Sequence, residues 1–79
     1  MSHIHHHHLL NMEKKLIELS TLRVFLAAAE EKNFSNAAKR LHLSQSAVSQ
    51  NVQSMERSYG VDLFIRHGRV VELTEAGQS

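Results

Sequence analysis

The chain has 79 residues, with 9 Lys and Arg against 8 Asp and Glu, and it contains no cysteine. A chain of this length forms one small domain, and the lack of cysteine excludes disulfides, thiolate metal sites and cysteine nucleophiles. A net charge of +1 does not by itself indicate nucleic-acid binding, and no apolar run reaches the roughly 20 residues of a membrane span, so we expect a soluble, cytoplasmic protein.

The N-terminal segment, residues 1–12, reads MSHIHHHHLLNM and contains five of the seven histidines. Clustered imidazoles coordinate zinc or nickel, so a metal site is one interpretation. No predicted folded element flanks the cluster, and we therefore favour an irregular expression tag or a disordered segment. The predicted domain, residues 19–77, excludes this segment.

The first predicted helix has four apolar residues at helical spacing on one face: Leu22, Phe25, Leu26 and Ala29. Ser20 is a suitable N-cap, and Leu19 and Val24 have the spacing of a hydrophobic staple around it. The polar run at residues 30–33 is expected to end this helix.

The second predicted helix is short and has its apolar face at Phe34, Ala37, Ala38 and Leu41. Ser35 is its candidate N-cap. A helix of about two turns requires tertiary packing to be stable. His42 is interpreted as a partly exposed turn residue, because no second metal ligand lies at helical spacing from it.

The third predicted helix is the most clearly marked, since Ser44 can cap its start and Gly60 can supply a left-handed stop. Its apolar stripe comprises Val48, Val52, Met55 and Tyr59. The side turned away from this stripe, together with the first turn, carries uncharged polar residues: Gln45, Ser46, Ser49, Gln50 and Gln53. Solvent-facing helices usually carry Lys and Glu on this side, so its composition suggests a binding surface.

The helical spacing of apolar residues ends at Gly60. Residues 63–65 and 70–73 then read as two short strands around a turn at residues 67–69. Thr74 and Glu75 then predict the start of a further helix. The chain ends shortly afterwards, so we expect a truncated chain or a domain excised from a longer protein.

The predicted fold is mainly α with a small β-hairpin: three helices, a wing and the start of a linker helix. The two helices over residues 34–53 form a helix-turn-helix, and the hairpin makes it winged. Glutamine carries a donor and an acceptor that match the N6 and N7 edge of adenine, and serine contacts either bases or phosphates. The residues suited to phosphate and wing contacts are Ser35, Lys39, Arg40, Ser44, Arg66 and Arg69. A solvated helix side and arginines that serve only solubility are the alternatives.

The segments AAKRLHLSQSAVS, LFIR and LTEAG, in this order between residues 19 and 77, resemble the N-terminal DNA-binding domain of LysR-type transcriptional regulators. The resemblance implies a winged helix-turn-helix whose third helix enters the major groove. It matches Gln45, Ser46, Ser49 and Gln50 to base-reading positions, Ser35 and Ser44 to phosphate contacts, and Arg66 and Arg69 to wing contacts. The family often has Pro in place of Ser46, a departure that should leave the fold intact. It often has a basic residue in place of Gln50, and the loss of that charge is expected to make affinity depend more on the wing and to change the recognised sequence.

The sequence therefore favours sequence-specific binding of double-stranded DNA, with an inverted repeat bound by a homodimer, or a tetramer, of the full-length protein. No cofactor is expected in this chain, because the resemblance places a small-molecule effector only in a separate sensing domain. The alternative is a helix-turn-helix scaffold for protein–protein interaction. An enzyme is disfavoured, since only His42 and His67 lie outside the N-terminal segment and no carboxylate pair marks a pocket.

Overall fold

The computed structural model describes the backbone of residues 2–78 and the side chains of residues 11–78. Its elements in chain order are α1 (Ser2–Glu31), α2 (Phe34–Leu41), α3 (Gln45–Tyr59), β1 (Phe64–His67), β2 (Val70–Leu73) and α4 (Glu75–Gln78). The tag-like or disordered character predicted for residues 1–12 concerns side chains that lie mostly outside the described residues, and it stays a prediction.

Helix α1 does not begin at Ser20, so the predicted N-cap and hydrophobic staple are wrong. Ser20 lies inside a continuous helix that starts at Ser2, and Leu19 is exposed. Residues 11–19 are mostly good helix formers and contain neither glycine nor proline, so nothing interrupts the helix before Ser20. The helix ends as expected at the polar run, where Lys32 adopts a left-handed φ of 54° and its N–H donates to the Ala28 carbonyl at 2.9 Å.

The face of α1 that packs into the core also differs from the predicted one. Val24, Ala27 and Ala28 are buried, whereas Leu22 and Leu26 are 48% and 49% exposed. The other two predicted residues, Phe25 and Ala29, pack at the edge of the core. The buried face is therefore rotated toward the small side chains of the helix.

Helix α2 buries its predicted apolar face, with Phe34, Ala37 and Ala38 in the core and Leu41 packed against it. Its N-cap is Asn33 and not Ser35, because the Asn33 side chain accepts the Asn36 N–H at 2.9 Å. The helix ends at His42, an exposed residue with φ of 59°.

Helix α3 has the predicted ends. The Ser44 side chain accepts the Ala47 N–H at 3.1 Å, and Gly60 adopts a left-handed φ of 69°. Val48 and Val52 are 0% and 2% exposed, which confirms the predicted seam. Met55 packs at the core edge. Tyr59 is 70% exposed, so the prediction that it belongs to the apolar stripe is wrong. The seam ends one turn earlier because the chain leaves the helix at Gly60.

The predicted hairpin is confirmed as two antiparallel strands, with Phe64 opposite Leu73 and His67 opposite Val70. A two-residue turn joins them, and Gly68 takes its positive φ of 64°. The wing packs on the helices through Phe64 and Val71, which are both buried.

The end of the described chain also matches the prediction of a further helix start. The Thr74 hydroxyl accepts the Gly77 N–H at 3.1 Å and so caps α4. It also donates to the Asp62 carbonyl at 2.6 Å, which ties α4 to the segment before β1. Among the described residues, no helix combines the length and apolar composition that a bilayer crossing requires.

The architecture is a winged helix-turn-helix in which α1, α2 and α3 enclose one core and the hairpin closes its remaining side. Phe64 connects the hairpin to α1 and α2, because the centre of its ring lies 5.5 Å from that of Phe25 and 5.6 Å from that of Phe34. The wing is thereby held next to α1 and the N-terminal part of α2.

Candidate nucleic-acid interface

Five uncharged polar residues form the outward side of α3, which we term the polar face: Gln45, Ser46, Ser49, Gln50 and Gln53. Four of them are exposed and Ser49 is half-buried. Their position follows from the burial of Val48 and Val52, because a helix with one buried side must turn the opposite side outward. The structure therefore places all five predicted base-reading residues on one accessible surface.

Two members of the polar face contact other elements. The Ser35 hydroxyl donates to Oε1 of Gln45 at 2.9 Å, which joins the start of α2 to the start of α3. Nη2 of Arg66 donates to Oγ of Ser49 at 3.5 Å, which joins the wing to the middle of α3. Within residues 11–78, the side chains of Gln50 and Gln53 make no hydrogen bond, so both ends of their amides are available to a ligand.

Arg66 is held over the ring of Phe34, with its guanidinium carbon 5.0 Å from the ring centroid. A cation–π contact at an exposed site contributes about 0.5–1 kcal/mol. Together with the Ser49 contact, it directs this side chain from β1 toward the polar face. Arg69 lies in the turn of the wing and is exposed.

The beginning of α2, the beginning of α3 and the wing turn surround one depression. The residues that line it are Asn33, Ser35, Asn36, Lys39, Gln45 and Arg69. Four of these were predicted as binding residues, and two of the four are cations. An anion placed there would face Lys39 and Arg69 together, which is the arrangement expected for a phosphate contact.

Arg40 points elsewhere. Its guanidinium lies 2.7 Å from a carboxylate oxygen of Glu30 and 3.4 Å from one of Glu31. The hydrogen bond that Arg40 donates to Glu30, followed by the negative charge of Glu30, raises the pKa of Arg40. The two carboxylates offset its charge, and Arg40 is not among the residues that line the depression with Lys39 and Arg69.

Ser44 and Gln53 occupy the two ends of the candidate interface. The Ser44 oxygen accepts the capping hydrogen bond from Ala47, although its hydroxyl hydrogen can still be donated. Gln53 lies beside a second depression, at the C-terminal end of α3, which Glu56 and Arg57 also line. Gln53 is therefore separated from the depression at the helix starts.

Sequence reasoning missed the residues that position the wing. The Glu56 carboxylate accepts the backbone N–H groups of Leu63 at 2.8 Å and Phe64 at 3.3 Å. The Lys32 carbonyl accepts the Val71 N–H at 2.9 Å, so the second strand is bound to the α1–α2 connection. A glutamate near the end of a helix gives no sequence signal for such contacts, because its partners become neighbours only after the hairpin has docked.

Comparison with known proteins matches the part of the chain that contains the helix-turn-helix and the wing. The family model of bacterial regulatory helix-turn-helix proteins of the lysR family matches residues 19–78. The regulator XapR of Escherichia coli K12 is 49% identical over 61 residues, which cover 77% of this chain and 21% of XapR. A helix-turn-helix regulator of Azotobacter vinelandii, encoded between ibpB and leuC, is 48% identical over 63 residues, covering 80% of this chain and 44% of that protein.

Solved structures agree with the sequence relatives. The CbnR DNA-binding domain in complex with DNA has a TM-score of 0.72 and 44% identity, covering 75% of this chain and 68% of that one. The BenM DNA-binding domain on benA site 1 DNA has a TM-score of 0.71 and 37% identity, covering 76% of this chain and 67% of that one. This chain spans less than half the length of the two curated relatives described above.

Proposed function

Because this chain belongs to the LysR family of bacterial regulatory helix-turn-helix proteins, we propose that it is the sequence-specific DNA-binding domain of a transcriptional regulator. The observation that carries this proposal is the exposed polar face of α3, behind which Val48 and Val52 are almost completely buried. The CbnR and BenM domains that it resembles were solved with DNA, which supports the same class of partner here.

Helix α3 is the element that would enter the major groove, which is wide enough to admit an α-helix. Its polar face is uncharged, so it offers paired donors and acceptors and not a nonspecific attraction to phosphate. Gln50 is suited to adenine, because one amide supplies the acceptor for N6 and the donor for N7. Ser46 and Ser49 are short enough to let the helix approach base edges closely.

Phosphate contacts would come from the elements on either side of α3. Lys39 and Arg69 line the same depression and are the leading candidates. Arg66 is already directed toward Ser49 and would extend the polar face at its wing side. Arg40 contributes less, because Glu30 and Glu31 offset its charge.

The complete regulator would bind an inverted repeat as a dimer or tetramer, with one domain of this kind on each half-site. Effector binding would belong to a part of the protein outside this chain, so no cofactor is assigned to it. We place the protein in the cytoplasm and assign it no enzymatic activity, since its proposed ligand is a duplex that it reads without chemical change.

The proposal is tested by selecting duplexes from a random pool and measuring affinity for the enriched sequence by fluorescence anisotropy at several salt concentrations. We expect log affinity to fall linearly with log salt, by about 0.9 for each phosphate neutralised. Replacing Arg69 with alanine should weaken binding and reduce that slope by about 0.9, because one phosphate contact is lost.

The matched control is Arg23→Ala, which removes the same charge from the exposed surface of α1, away from the proposed interface. It should leave the salt slope unchanged. If no sequence is enriched at low salt, or if both variants bind like the wild type, DNA binding through this face is refuted. Either result would point instead to a protein-interaction scaffold.

A further inference from the structure

The hydrogen bond between Ser35 and Gln45 connects the two helices of the helix-turn-helix at their starts. Ser35 is the second residue of α2 and Gln45 is the first residue of α3. The serine hydroxyl donates to Oε1 of the glutamine amide at a distance of 2.9 Å. Both residues line the depression that faces the wing turn, so the contact lies within the proposed interface.

This contact uses up the only hydrogen of the serine hydroxyl. While the bond is made, Ser35 cannot also donate to a phosphate oxygen. The amide of Gln45 is fixed as well, because its oxygen lies on the Ser35 side. Its Nε2 group, with two N–H donors, is consequently the end of the amide that is left for a ligand.

We propose that Ser35 is a positioning residue that presents Gln45 to DNA as a hydrogen-bond donor, so that Gln45 prefers guanine over adenine. This inference rests on the proposed function. In the major groove, guanine offers two acceptors, O6 and N7, whereas paired recognition of adenine requires the glutamine to accept from N6 and donate to N7. Gln50 has no such partner within residues 11–78 and keeps both modes.

The first step of the test identifies the base pair that Gln45 reads. Duplexes are selected from a random pool with the wild-type chain and with Gln45→Ala, and the position whose preference disappears in the variant is assigned to Gln45. Affinities are then measured by anisotropy for four duplexes that differ only at that position. We expect the wild type to bind guanine more tightly than adenine by roughly tenfold, within the range of one good bidentate contact.

The second step removes the positioning contact. Ser35→Ala frees the amide to rotate, so the guanine-to-adenine ratio should fall several-fold toward one, mainly through improved binding to adenine. Ser35→Thr retains the hydroxyl and should keep the wild-type ratio. Ser58→Ala is the matched control, because it makes the same change at an exposed serine of α3 outside the proposed interface, and it should leave both the affinity and the ratio unchanged. A purely structural role for Ser35 would instead weaken binding to all four duplexes equally.

Several results would overturn the inference while leaving the proposed function intact. These are a wild-type preference for adenine at the Gln45 position, an unchanged ratio in Ser35→Ala, or no position that responds to Gln45→Ala. If Ser35→Ala does not fold, as judged by circular dichroism, the wild-type ranking and Ser35→Thr still decide. Failure of the wild type to bind any duplex at low salt would refute the proposed function and this inference together.

Discussion

Glu56 is predicted to be the residue on which the position of the wing depends most strongly. It lies in the last turn of α3, and its carboxylate accepts the N–H groups of Leu63 at 2.8 Å and Phe64 at 3.3 Å. The side chains of both residues are buried, so these hydrogen bonds hold the start of β1 against the core. Glu56→Ala removes the acceptor and leaves two backbone donors without a partner in the protein.

The size of the effect follows from the charge of the acceptor. A hydrogen bond to a charged group contributes about 1.5–3 kcal/mol, and two of them give about 3–6 kcal/mol. Glu56 is half-buried, so water recovers part of this, and we expect Glu56→Ala to lower the free energy of unfolding by about 1.5–3 kcal/mol. Since 1 kcal/mol corresponds to about 4–8 °C in a domain of this size, Tm should fall by about 6–24 °C.

Circular dichroism during urea and thermal unfolding measures this loss, and amide hydrogen exchange at Leu63 and Phe64 locates it. Both N–H groups donate to the same carboxylate oxygen, so Glu56→Gln keeps an acceptor but loses the negative charge, and it should cost about half as much. Glu72→Ala is the matched control, because Glu72 is an exposed wing residue whose contact with His67 is 3.6 Å, and it should cost about 0.5 kcal/mol or less. Equal losses from Glu56→Ala and Glu72→Ala would refute this account of the wing.

Three further predictions concern the fold. Ser44→Ala should cost about 1 kcal/mol in chemical denaturation, because it removes the cap of α3. Gly77→Ala should also destabilise, by about 1–3 kcal/mol, because the added Cβ would lie 2.5 Å from the Leu63 carbonyl oxygen, a backbone atom that cannot turn aside. Ala28→Leu should overpack the core and cost about 1–3 kcal/mol or more, whereas Leu26→Gln, on the half-exposed side of α1, should cost about 1 kcal/mol or less. The reverse order of Tm values for this last pair would show that the core-facing side of α1 is the one predicted from the sequence.

Helix α3 could be predicted in detail because its sequence contrasts one apolar side with one polar side. Val48 and Val52 repeat at helical spacing and the residues between them are polar or small, so only one rotation of the helix buries the apolar side. Its ends also carry strong local signals, a serine cap and a glycine stop, which act through backbone groups in the same segment. The exposure of the polar face followed from the same contrast.

Helix α1 lacks this contrast. Between Leu22 and Ala29 the only polar residue is Arg23, so several rotations would bury an equally apolar side. The observed rotation places Ala27 and Ala28 in the core cluster that also contains the alanines of α2. Small side chains let two helices approach closely, and packing distance depends on the side chains at the contact. The choice of the buried side of α1 therefore depends on the shape of the helix packed against it, and the spacing of apolar residues within α1 carries no information about that shape.

The side-chain contacts within the candidate interface could not be predicted from the sequence either. Ser35 and Gln45 are 10 residues apart, and Arg66 and Ser49 are 17 apart. Each residue type suggested a polar role, but their pairing depends on how α2, α3 and the wing are placed. The choice of Asn33 over Ser35 as the cap of α2 has the same origin, since both side chains can cap and a difference of two residues in the helix start decides between them.

The two wing arginines differ in how firmly contacts within the protein hold their side chains. Arg66 lies on β1, which is bound to α3 through Glu56, and its guanidinium contacts both Phe34 and Ser49. Within residues 11–78, the side chain of Arg69 makes no hydrogen bond or ion pair, and it lies in the turn of the hairpin. Arg66 is therefore preorganised beside the polar face, so little conformational entropy is lost when it binds. Arg69 retains the freedom to follow a phosphate, which suits a contact that positions the duplex without reading its sequence.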